Sequence, residues 1–298
     1  KMEYKTYLFD FDYTLADSSR GIVICFRNVL TRHGHTDITD ESIKRTIGKT
    51  LEDSFSILTG ITDKNTLISY KKEYVKEADI HMTANTKFFP ETVAVLKALK
   101  KRGAQIGIIS TKYRYRIHEM VDQHFPNKFF DIIIGGEDVK KAKPSPQGLL
   151  KALRCLHRKK KDTLYIGDSI IDAQTALLAG VDFVGVLNGM TTREELAEYR
   201  HRQILPDLTL LPLINKETTP PLLQRLVSHK ALIYYRLLHQ KQIREERTAQ
   251  RPTTPHMQEL QKDVSRQLLS RLRTDTKYAT LHYSQRLPEH IKRIFQYR

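Results

Sequence analysis

Two carboxylates stand two residues apart in Asp10-Phe11-Asp12, directly after the short apolar run Thr6–Phe9. Such a pair suits phosphoryl transfer: one acid attacks phosphorus while the other handles the proton at the leaving oxygen. A bare pair at this spacing is more often two solvated turn acids, but three further groups change the reading. Ser110-Thr111-Lys112 offers hydroxyl and backbone N–H groups suited to phosphate oxygens, although alone it would be an ordinary helix cap. Lys143 sits in KAKPSP, where Pro144 and Pro146 stiffen the backbone around one ammonium group able to balance charge on a phosphate and on Asp10. Asp168 and Asp172, in GDSIID, put two acids four residues apart where Mg²⁺ can be held by oxygen ligands.

The elements that must position these groups follow from hydrophobic pattern. Apolar runs at Thr6–Phe9, Gln105–Ile109, Phe130–Ile134, Thr163–Ile166 and Phe183–Val186 read as buried strands, with helical periodicity between them in ETVAVLKALKKRG, YRIHEMVDQHF, PQGLLKALRCLHRK and IDAQTALLAG. Strands alternating with helices predict an α/β fold with a doubly wound parallel sheet. In such sheets ligands bind beyond the carboxyl ends of the strands, and every acid and base above falls at such an end. The alternation breaks between about Ser18 and Asn85, where the pattern is helical throughout, as in SRGIVICFRNVLTRHG and NTLISYKKEYVKEADIHM. A helical insert directly after the first strand can sit over the strand ends as a lid.

The four stretches DFDYTLADS, IISTK, KKAKPSP and YIGDSIIDAQTALLAG, in this order, resemble the motifs of the haloacid dehalogenase superfamily, and within it phosphatases similar to phosphoglycolate phosphatase. The resemblance covers residue 4 to about 215. It implies a Rossmann-like catalytic core over 1–17 and 86–215, a small helical cap over 18–85, and hydrolysis of a small phosphorylated metabolite. By resemblance Asp10 is the nucleophile that becomes an aspartyl-phosphate, and Asp12 is the general acid/base. Ser110, Thr111 and Lys143 would bind the phosphoryl group. Mg²⁺ would be held by Asp10, Asp168 and the backbone carbonyl of Asp12, with Asp172 supporting the site. In the cap, Arg45, Gly48 and Lys49 match the region that usually faces substrate, where two basic residues suit a second anionic group; the alternative is a solvated helix face. Tyr13 departs from the family, which usually has Gly there; it either contacts substrate or packs against the lid. The acid at Asp12 argues against dehalogenation, and LADSSRGIVICF lacks the hinge histidine expected of a sugar phosphomutase. Pyrophosphatase stays open, because GVLNGMTTREEL also resembles pyrophosphatases of the group, as do nucleotide and sugar phosphatases.

Composition frames this reading. At 298 residues, 40% hydrophobic and 28% charged, the chain can bury a sizeable core. No apolar run reaches the length of a membrane span, and acids come too early for a signal peptide, so a cytoplasmic location is expected. Cys25 and Cys155, each in a helical pattern, read as reduced and structural. Most of the net charge of +16 lies in residues 216–298, which hold seventeen basic against seven acidic residues. This stretch is expected to be a basic helical extension. Its leucine spacing suggests packing on the core or on a second copy of the chain; a nucleic-acid or acidic-protein binding role is the competing reading.

Overall fold

The computed structural model describes residues 4–214. The chain enters through β1 (Thr6–Phe9), which is buried throughout, then makes a turn into β2 (Ala16–Asp17). Four helices follow: α1 (Ser19–Arg32), α2 (Asp40–Lys44), α3 (Leu51–Thr59) and α4 (Lys64–His81). The chain returns through β3 (Lys87–Phe88), then α5 (Thr92–Lys101), β4 (Gln105–Ile109), α6 (Arg114–His124), β5 (Ile132–Ile134) and α7 (Gln147–Cys155). It ends in β6 (Thr163–Gly167), α8 (Ile170–Ala179), β7 (Asp182–Val186), α9 (Arg193–Ala197) and β8 (Gln203–Leu205).

Six strands form one parallel sheet in the order β5-β4-β1-β6-β7-β8. From β1 the chain goes first to β4 on one side and later to β6 on the other. The end of β1 is therefore the switch point, where adjacent connections diverge and leave a crevice. Period-two alternation sorts the strand residues into two cores: Tyr7, Phe9, Ile106, Ile108 and Ile166 face one layer, while Leu8 and Tyr165 face the other. Gly107 is required on that second face, because a Cβ there would stand 2.5 Å from Ile132 Cγ2 and 2.8 Å from Leu8. The result is the expected doubly wound α/β fold.

Helices α1, α3 and α4 form a separate core in which Phe26, Phe55 and Tyr74 pack with ring centroids 4.7 to 6.3 Å apart. Local signals fix their ends: Thr50 and Asp63 cap α3 and α4 by accepting from Asp53 and Thr66 N–H groups, and Gly60 ends α3 at φ 75°. The two chain segments joining this cap to the sheet pair with each other, Ala16 with Phe88 and Asp17 with Lys87, in an antiparallel ribbon. No helix among the described residues is long and apolar enough to cross a membrane.

Three details differ from the sequence expectation. β5 begins at Ile132 rather than Phe130, because Phe129 and Phe130 turn into an aromatic cluster with Phe125. β8 and the β2–β3 ribbon are too short to give a periodic signal. The expectations for residues 216–298 lie outside the described residues.

Candidate active site

The turn after β1 carries the first two acids. Asp10 N–H donates to the Ile166 carbonyl at 2.9 Å, extending the sheet by one residue. The chain then doubles back, with Leu15 N–H bonding the Phe11 carbonyl and Tyr13 N–H bonding the Ala16 carbonyl. This reversal needs a left-handed residue, and Tyr13 supplies it at φ 58°. The family's usual Gly is thus explained: the position demands a conformation that costs a side-chain-bearing residue about 1–2 kcal/mol. The Tyr13 ring is buried, not turned to solvent.

Lys143 is the hub. Its Nζ stands 2.9 Å from Asp10 Oδ1 and 2.7 Å from Asp172 Oδ1, and it donates to the Tyr165 hydroxyl at 3.4 Å. Asp10 Oδ1 has this ion-pair partner but no aligned hydrogen-bond donor. Tyr165 in turn donates to Asp172 Oδ1 at 2.8 Å. The other Asp172 oxygen accepts from the Ser169 backbone and hydroxyl at the start of α8, in a capping box. Asp172 is therefore a fully bonded buried carboxylate that holds Lys143 in place. Asp168 accepts from the Thr14 hydroxyl at 3.2 Å. It is approached so closely by the loop after β7 that a Cβ at Gly189 would collide with its carboxylate.

Asp10, Asp168 and Asp172 are all buried and each brings one oxygen within 4.8 Å of the others. Three carboxylates facing one ammonium leave the pocket short of positive charge. Asp10 shows it: burial pushes its carboxyl up to about 7, Lys143 pulls it down, and Asp172 and Asp12 push it further up. Burial, then Asp172 and Asp10, likewise raise Asp168 well above the carboxylate range. Burial opposes the charge of Lys143, but Asp10 and Asp172 outweigh it and raise its pKa. An all-oxygen cluster of this kind, short of positive charge, fits a hard divalent cation.

Asp12 is held differently. Ser18 donates to its Oδ1, and Lys112 Nζ stands 3.2 Å from the same oxygen with both side chains mostly buried. Ser110 Oγ accepts from Lys112 N–H at 3.2 Å, which closes the turn after β4 beside the acids. Thr111 reaches the other way, donating to the Gly48 carbonyl of the cap at 3.3 Å. Lys49 lines a cavity of about 550 Å³ between cap and sheet that Asp12 and Lys112 also line. Arg45 is not brought into the site: its side chain is 52% exposed and stands 3.6 Å from Glu41, one helical turn back. Four positions escaped the sequence reading. All four lie inside the quoted motifs, but Lys112 reads there only as a backbone donor, Thr14 and Ser18 look like turn residues, and Tyr165 belongs to an apolar strand. A tyrosine there, whose hydroxyl must find a partner when buried, was the available signal.

Comparison with known proteins gives the lineage. Residues 7–186 match the family model described as haloacid dehalogenase-like hydrolase. The chain is 29% identical over 216 residues to the pyrophosphatase PpaX of Bacillus mycoides, covering 72% of this chain and 99% of that protein. It is 30% identical over 198 residues to PpaX of Anoxybacillus flavithermus, covering 66% and 90%. Among solved structures, a protein of Bacteroides fragilis described as a haloacid dehalogenase-like hydrolase is 61% identical, with a TM-score of 0.69 over 70% of this chain and all of that one. A protein of Lactobacillus plantarum described as a phosphoglycolate phosphatase shares the fold at 24% identity and a TM-score of 0.63, over 72% of this chain and all of that one. With 180 consecutive residues under one family model and the four motif ends converging at one strand switch point, the chain belongs to the haloacid dehalogenase-like hydrolases.

Proposed function

We propose that the protein is a Mg²⁺-dependent phosphohydrolase that moves the phosphoryl group of a small phosphorylated metabolite onto Asp10 and then to water. The observation that carries this reading is the pairing of unlike environments two residues apart. Asp10 lies in a carboxylate cluster against Lys143, while Asp12 lies outside that cluster against Lys112 and Ser18. Mg²⁺, when bound by Asp10, Asp168 and the Asp12 carbonyl, supplies the positive charge that lets an anionic carboxylate approach an anionic phosphate.

The residues divide the work. Asp10 attacks phosphorus; the P–O bond to the leaving group breaks, and Asp12 gives that oxygen its proton. Asp12, now ionised, takes a proton from water as the water attacks the acyl-phosphate, and free phosphate and Asp10 are regenerated. Lys143 neutralises charge on the transferred group and is kept from turning away by Asp172 and Tyr165. The Ser110–Lys112 turn offers hydroxyl and N–H donors for the remaining phosphate oxygens. Pyrophosphate hydrolysis is the second reading, supported by two relatives that carry that name over 90% or more of their length. Phosphate release from phosphoglycolate, pyrophosphate, sugar phosphates and nucleotides, with Mg²⁺ or chelator, tests both. Asp10→Asn is expected to lower kcat by about 10³-fold or more; unchanged turnover in that variant would remove Asp10 from the mechanism.

A further inference from the structure

Asp12 must reach the oxygen of the leaving group, and Asp12 lines the 550 Å³ cavity whose other walls come from the cap helices and from the turn after β4. At about 30 Å³ per water it would hold on the order of eighteen waters, whereas glycolate or a second phosphate is the size of a few. Its volume instead falls within the range of about 300–1,000 Å³ typical of sites for larger organic ligands.

The chemistry of the walls says what fills it. Val75 of α4 lines it, half-buried, over a floor of Phe26, Leu67 and Tyr74 that are packed in the cap core. Ile68 and Tyr115, left 45% and 43% exposed, line the same space, so the cost of leaving them in water has a use. Tyr115 stands beside Tyr113, ring centroids 6.0 Å apart, and the two rings carry Arg116 and Lys71 against them. The inner cations are already matched: Lys71 by Glu52 at 2.7 Å, Lys112 by Asp12, Arg116 by Asp79 and Glu119. Lys49, Lys64 and Lys140 also line the cavity, and among the described residues no acid stands within ion-pair distance of them. Lys64 and Lys140 are exposed, Lys49 half-buried.

We propose, resting on the phosphohydrolase reading above, that the physiological substrate is a phosphate monoester whose leaving group carries an aromatic ring bound in this cavity, with a second anionic group at its lysine-bearing edge. The ring gains from burial against Ile68, Val75 and Tyr115; the anion gains from lysines that no internal acid neutralises.

The test measures kcat/KM on the full chain with Mg²⁺ for ethyl phosphate, phosphoglycolate, pyrophosphate, benzyl phosphate and 4-carboxybenzyl phosphate, whose reacting oxygens are alkoxide leaving groups in every case but pyrophosphate. Calorimetric binding of benzylphosphonate and methylphosphonate adds a readout without turnover. Benzyl phosphate is expected to exceed ethyl phosphate and phosphoglycolate by about tenfold or more, the carboxylated ester to exceed it further, and benzylphosphonate to bind about tenfold tighter than methylphosphonate. Val75→Trp, which fills the cavity, and Tyr115→Ala, at an exposed position that folding tolerates, should each lower the benzyl-to-ethyl ratio about fivefold. Mg²⁺-dependent turnover with no aromatic preference, or a ratio that neither substitution moves, overturns the inference and leaves the phosphohydrolase reading standing. No turnover of any ester, together with no phosphonate binding, overturns both.

Discussion

Lys143 touches Asp10 and Asp172 at 2.9 and 2.7 Å, and this one side chain joins the turn after β1 to α8, which carries Asp172. Asp172 has no free valence of its own: Lys143, Tyr165 and Ser169 occupy both its oxygens, so it acts by holding Lys143 rather than by touching substrate. Asp168, with a single hydroxyl donor from Thr14, keeps an oxygen for a cation. Tyr13 belongs to the same scale. It adopts φ 58°, an arrangement Gly takes freely, yet its ring is buried. Tyr13→Gly relieves about 1–2 kcal/mol of backbone strain but deletes a buried aromatic worth about 3–5 kcal/mol. The net expectation is a loss of about 2 kcal/mol, seen as a fall in Tm of roughly 4–8 °C, while kcat/KM stays within about threefold because no reacting group moves. A rise in Tm would show that strain, not packing, dominates there.

Besides Lys71 of α4 over the Tyr113 ring, two sets of hydrogen bonds and ion pairs tie the cap to the sheet domain among the described residues. One is the Thr111–Gly48 bond beside Asp12. The other lies where α4 meets α6: Arg116, buried on α6, pairs with Asp79 of α4 and with its own neighbour Glu119 at 3.0 Å, while Thr83 past the end of α4 donates to Glu119. With the antiparallel ribbon of Ala16–Asp17 and Lys87–Phe88 as the connection, these bonds form a polar clasp between the helical unit and the sheet domain. Arg116→Met keeps the buried stem and removes the charge, leaving Asp79 and Glu119 unpaired. It should cost about 1–3 kcal/mol, raise KM several-fold with a smaller effect on kcat, and speed proteolytic cutting near Asp17 and Lys87. Unaltered KM and cutting rates would mean that the clasp does not set cap opening.

At the scale of the whole molecule, the buried acids couple folding to pH and cation. Asp10 rises from 3.8 to about 7 in the fold and Asp168 rises with it. The metal-free fold therefore holds protons that the unfolded chain releases. The contribution of these groups to stability is full below about pH 4 and is lost as pH climbs through about 7. Mg²⁺ competes with those protons, so the Tm gained on adding Mg²⁺ in place of chelator should grow from about pH 5 to pH 7.5 and be small in Asp168→Asn. A gain independent of pH would contradict a shared site for protons and cation. Much of this molecule was legible in its residues because its signals are local. The strands end at Phe9, Ile109 and Gly167, so one rule about strand ends gathers Asp10, Ser110 and Asp168. What was not legible depends on contacts far apart in sequence. Arg45 and Lys49 share a stretch, but only Lys49 meets the cavity, because Arg45 ends a short helix facing Glu41 and solvent. Tyr165 gains its role from Lys143, 22 residues away, as well as from Asp172 on α8, and Lys112 from Asp12 in the turn after β1, which no periodicity encodes. The central claim is that Asp10 itself takes the phosphoryl group, and the most direct measurement is acid quenching during steady-state turnover of a phosphate monoester, followed by peptide mass analysis. The account predicts one added phosphoryl group on the peptide containing Asp10, absent in Asp10→Asn; phosphoryl on a different residue, or full turnover in Asp10→Asn without it, would contradict the account.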